Sequence, residues 1–148
     1  MLGLMRARLP LVAALALVLL AGCGGDAPYA LDPSADCVAG DGTAVERWAG
    51  PDTPTQGARP PAGGVLRATF DDGQTAWAAF GEDAEDAEEM AADLEASDAL
   101  PGTFAEIMRP VVETRRNAVV YGFFPEGDEL TAGFTAALDT VEGCLREG

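Results

Sequence analysis

The stretch VLRATFDDGQTAWAAF, Val65–Phe80, decides the fold. Val65–Phe70 alternates, with Leu66, Ala68 and Phe70 on one side, as a half-buried strand does. Asp71-Asp72-Gly73 is a turn signal, and Gln74–Phe80 reads as the returning strand of a hairpin. Two registers are open. If Asp72-Gly73 is a two-residue loop, Ala68 lies opposite Trp77. A three-residue loop moves the pairing by one residue and turns Phe80 inward.

Towards the C-terminus, Glu82–Ser97 repeats Ala84, Ala87, Met90, Ala91 and Leu94 at helical spacing. Its other face is acidic, from Glu82 to Glu95, and the acids gather at the helix start, where the macrodipole favours them. Asp98–Pro110 is irregular by composition, and Val111–Thr114 reads as a short strand. Ala118–Phe124 is apolar at every position, the pattern of a central strand, and Pro125 ends it. Asp128 caps a last helix running through Arg146, with Leu130, Phe134, Leu138, Val141 and Leu145 on its apolar face. The two halves align at an offset of 44 residues: Trp77 falls on Tyr121, Phe80 on Phe124, Met90 on Phe134 and Leu94 on Leu138. That alignment reads as a ββα-ββα pseudo-repeat, although two unrelated amphipathic hairpin–helix units would give the same pattern. The expected fold is α+β, a small antiparallel sheet of about four strands with two helices packed on one face.

Before Val65, Pro51–Gly64 is a Pro/Gly-rich loop. Thr43–Trp48 fits a short strand, with Trp48 as a core residue. Gly24–Asp36, rich in Gly, Pro and Asp, reads as a flexible tether. The expected organisation is a leader over 1–22, a tether over 23–36 and a single domain over 37–148.

The leader has a basic start with Arg6 and Arg8, then an apolar run over Leu9–Gly22. Fourteen helical residues rise about 21 Å, short of a bilayer core of about 30 Å, so the run is a signal segment and not a membrane span. It ends Leu20-Ala21-Gly22-Cys23, which resembles the lipobox of bacterial lipoproteins. The resemblance implies cleavage before Cys23, lipidation of its thiol and a place on the outer face of the cell membrane. Outside the cytoplasm the two remaining cysteines, Cys37 and Cys144, are expected to form a disulfide. The stretch Arg115–Tyr121, followed by a helix ending near a cysteine, also resembles small uncharacterised envelope lipoproteins of high-GC Gram-positive bacteria. That resemblance implies no catalytic residue.

Charge and composition exclude several functions. The chain has 9 basic and 25 acidic residues and no histidine. Two of the nine arginines lie in the leader, so residues 23–148 carry −18. Such a surface repels nucleic acid. Without His there is no Ser-His-Asp or Cys-His catalysis and no imidazole metal ligand; without Lys there is no Schiff base or Walker lysine. Asp36…Asp41-Gly42 and Asp71-Asp72-Gly73 lack the ligand spacing of a calcium loop and read as turns. No metal or cofactor is expected. The leading expectation is a non-catalytic envelope lipoprotein, a binding or accessory module for another envelope protein. Two alternatives follow it: a small apolar ligand held near Trp77, Phe80 and Tyr121, and a carboxylate-based hydrolase needing two buried acids in one cleft. Arg115-Arg116, the adjacent basic pair, reads either as contact for an acidic partner group or as a solvated turn that offsets local negative charge.

Overall fold

The computed structural model describes residues 27–40, 42–53, 60–96 and 108–148. The leader, Cys23, the middle of the Pro/Gly-rich loop and the segment after the second helix lie outside the described residues. In chain order the elements are α1 (Leu31–Gly40), β1 (Ala44–Trp48), β2 (Val65–Thr69), β3 (Thr75–Phe80), α2 (Ala84–Glu95), β4 (Met108–Arg115), β5 (Ala118–Pro125) and α3 (Ala132–Gly143). The strands form one sheet in the order β1-β2-β3-β5-β4, antiparallel throughout. The fold is α+β, with five strands and three helices.

The β2–β3 hairpin takes the three-residue loop. Phe70 N–H donates to Gln74 O at 2.9 Å, Gly73 N–H donates to Phe70 O at 2.9 Å, and Ala68 pairs with Ala76. Gly73 sits at φ +82°, the left-handed position that closes such a loop. In this register Phe80 points inward and is fully buried.

β3 and β5 are apolar on both sides, and both sides are covered. Ala76, Ala78, Phe80, Ala118, Val120 and Phe124 enter a core shared with α1 and α3. Ala79, Val119 and Tyr121 enter a second core with Ala87, Met90 and Leu94 of α2. The expectation of two helices on one face is therefore corrected: α1 and α3 lie on one face, α2 on the other. The pseudo-repeat extends only through the hairpins. Trp77 and Tyr121 are direct cross-strand partners on one face, yet Met90 and Phe134, matched at the same offset, pack on opposite faces. Three residues join β3 to α2 and six join β5 to α3, and the longer connection carries α3 across to the other side. There the Phe134 ring lies on Gly122, where a Cβ would come within 2.9 Å of it.

Helix ends differ from the sequence reading in instructive ways. Asp83 caps α2 by accepting from Asp86 N–H at 3.0 Å. α3 is capped by Thr131, not Asp128: its Oγ1 accepts from Phe134 N–H at 3.2 Å, and Leu130 stays outside the helix, exposed. Residues 27–36, expected as tether, are folded. Leu31–Gly40 is α1, with Ser34, Ala35 and Val38 buried. Asp and Pro, which suggested coil, also suit a helix's first turn, and here they occupy it as Asp32 and Pro33.

Cys37 on α1 and Cys144 at the end of α3 lie at disulfide-bonding distance, their Cα atoms 5.4 Å apart across a separation of 107 residues. Closing a loop of about that length contributes on the order of 4–5 kcal/mol in the chain-entropy model. Cys144→Ser is expected to lower the urea unfolding free energy by roughly 2–5 kcal/mol. Intact-mass measurement should show the oxidised chain lighter than the reduced one by two hydrogens.

Candidate functional site

The sheet register builds one row across all five strands: Glu46 on β1, Arg67 on β2, Trp77 on β3, Tyr121 on β5 and Val112 on β4. Trp48 stands on the same face one row along, paired with Val65. α2 packs over the β4–β5 end of this face. Over β1, β2 and β3 no described helix lies on this side. Trp48 and Trp77 are half-buried there and pack against Val65 and Ala79, which are buried.

The aromatic rings form a continuous ladder. Trp48 and Trp77 are nearly parallel at 6.0 Å between centres, Trp77 and Tyr121 at 6.1 Å, and Phe123 meets Tyr121 edge-on at 6.0 Å. The Arg67 guanidinium carbon lies 5.6 Å from the Trp48 ring centre and 5.4 Å from that of Trp77. Each such contact is worth about 0.5–1 kcal/mol where solvent has access. Glu46 forms an ion pair with Arg67. Of the four strand arginines, Arg67 alone points to this face. Its Nε is buried and has no hydrogen-bond partner among the described residues. Arg67 is thus a cation held on two indoles and paired with Glu46, with one buried N–H unanswered.

The three residues expected to share a ligand cavity do not converge. Trp77 and Tyr121 lie on the ladder face, whereas Phe80 fills the core on the opposite face with no exposure. Arg115 and Arg116 answer acids of their own chain. Arg115 Nε donates to Glu142 at 2.6 Å, which raises the Arg115 pKa. Arg116, at φ +48° in the β4–β5 turn, donates to Glu147 at 2.6 Å and to Ala27 O at 2.9 Å. Its guanidinium lies 4.7 Å from the Tyr29 ring centre.

Asn117, which sequence reading passed over, is the buried polar hub of this end. Its Oδ1 accepts from Tyr29 N–H at 2.7 Å, and its Nδ2 donates to Tyr29 O at 3.0 Å and Gly81 O at 2.9 Å. Its signal in the sequence was an amide at a two-residue turn between apolar strands.

Carboxylates line a hollow of about 300 Å³ between Pro60, Ala62 and the start of α2. No described Asp or Glu is buried, so none has the desolvated setting a carboxylate acid–base pair uses. Among the described residues no cluster of acids or cysteines has the geometry of a metal site. Comparison with protein-family models, with curated proteins and with solved structures returns no match.

Burial pushes the Tyr121 phenol well above its ordinary value. The neutral form is the one the core accepts, so its contribution to stability is complete below about pH 10 and is lost as pH rises further. In an alkaline titration followed by ultraviolet absorbance, the Tyr121 phenolate is expected to appear together with loss of the native circular dichroism, not before it.

Proposed function

We propose that the chain is a membrane-anchored extracytoplasmic lipoprotein that acts as a non-catalytic binding or accessory module of the cell envelope, holding another envelope protein near the membrane. The Trp48–Arg67–Trp77 surface carries this reading. Trp, Tyr and Arg are the residues that dominate protein–protein binding energy, because they bury large rigid area and add a directed polar contact. Among the described residues no helix lies over this half of the sheet face, which favours its use as a docking wall. The leader supports the location: Leu20-Ala21-Gly22-Cys23 follows an apolar run too short to span a bilayer, and a doubly acylated cysteine makes a lasting anchor.

Three measurements test this. Mass spectrometry of the N-terminal peptide from membranes is expected to show a diacylglyceryl group on Cys23. Cys23→Ser should release the protein into the soluble fraction. Crosslinking in intact cells followed by affinity capture should return one reproducible envelope partner. Trp48→Ala and Arg67→Gln should reduce its recovery at least roughly tenfold, the size expected for losing a contact of more than about 1.4 kcal/mol. Glu88→Gln on the outer face of α2 should leave recovery unchanged. Absence of a reproducible partner would sink the proposal.

A further inference from the structure

We infer that the end of the domain carrying Pro28, the Arg116-Asn117 turn and Glu147 sits against the bilayer headgroups, held there by a leash only a few residues long. This rests on the lipid anchor at Cys23 proposed above. The described chain is already fastened at Ala27. Arg116 donates to Ala27 O at 2.9 Å, Gly148 N–H to Pro28 O at 3.3 Å, and Ala30 N–H to Arg146 O at 2.8 Å. Asn117 grips both polar groups of the Tyr29 backbone, and Tyr29 bridges to Glu147 as a short antiparallel pair. Five hydrogen bonds from two separate segments, the β4–β5 turn and the C-terminal tail, thus fix where the chain leaves the domain.

Only Gly24, Gly25 and Asp26 separate Cys23 from that seat. Fully extended, Cys23 to Ala27 spans at most about 14 Å. β5 starts beside the seat and runs eight residues away from it, about 25 Å, to the turn at Glu126–Asp128. The leash is shorter than the strand, so the domain tilts about its anchored end but does not invert.

Charge works in the same direction. The two turns at the far end, Asp71–Gly73 and Glu126–Asp128, carry four acids and no base, whereas at the anchored end Arg115, Arg116 and Arg146 stand against Glu82, Asp83, Glu142 and Glu147 and offset most of their charge. An anionic headgroup layer repels the far end more strongly. The strands then point away from the membrane, and the Trp48–Trp77 face stands as a side wall, open to a partner in or near the same membrane.

The test uses the full lipidated protein in phosphatidylcholine–phosphatidylglycerol vesicles containing a lipid-linked acceptor dye. A donor is placed at Glu82→Cys, beside the seat, or at Asp128→Cys, at the far turn; both positions are exposed. Energy transfer from position 82 is expected to be at least roughly twice that from position 128, given a leash shorter than the strand. Insertion of a Gly/Ser spacer as long as β5 after Gly25 should erase the difference. Equal transfer from the two sites in the native-length chain, or greater transfer from position 128, overturns the inference while the anchor stands. A Cys23 peptide without lipid overturns the anchor itself, and with it this orientation, and is read by mass before any labelling.

Discussion

Burial of β3 and β5 on both faces is the constraint on which this molecule depends. A strand that is apolar at every position leaves half its side chains in water unless a layer lies on each side of the sheet. α2 supplies one layer over β4 and β5. The other needs α3 and also α1, drawn from a segment whose composition resembles a linker. The pair Cys37–Cys144 joins those two helices where they meet. Because the helices are rich in alanine, each buries little area, and a covalent closure has much to contribute.

The same constraint accounts for the aromatic ladder. The described residues hold three helices for two faces of a five-stranded sheet, and the β1–β2–β3 half of one face receives none of them. Trp48 and Trp77 pack there against the cluster that holds Val65 and Ala79, and Arg67 spreads its guanidinium against both indoles. Side chains placed this way serve the core, and on the reading proposed above they also present indole and guanidinium to a partner. Stability and recognition are therefore drawn from one set of side chains, and a substitution there reports on both.

Electrostatics is divided between inside and outside. No described Asp or Glu is buried, so the acidic excess of the chain is a property of its surface. The few arginines are engaged within the fold: Arg47 with Asp32 and Asp36, Arg115 with Glu142, Arg116 with Glu147. Exposed pairs of this kind contribute little each, about 0–1 kcal/mol. Their value lies in position, since Arg116 and Asn117 together fasten the segment that leads to Cys23.

How much was legible beforehand follows from the range of the forces involved. Val65–Phe80 carried its hairpin locally through alternation and an Asp-Asp-Gly turn, and Ala84–Leu94 carried its helix through spacing. The run Leu20-Ala21-Gly22-Cys23 and the excess of acid over base are likewise properties of the chain itself. The 44-residue alignment matched Trp77 with Tyr121 as equivalents and did not contain their pairing, for Phe80, matched with Phe124, pairs with Ala118. What local pattern did not contain was the side of the sheet each helix takes, because that depends on connection length and on which face is already filled. Nor did it contain α1, whose Asp and Pro serve a coil and a helix start equally well. The ladder of Trp48, Arg67 and Trp77, and the grip of Asn117 on Tyr29 from 88 residues away, exist only once the register of separate strands is set. Those contacts are tertiary by nature: each residue was visible in the sequence, and only the closed sheet made them neighbours.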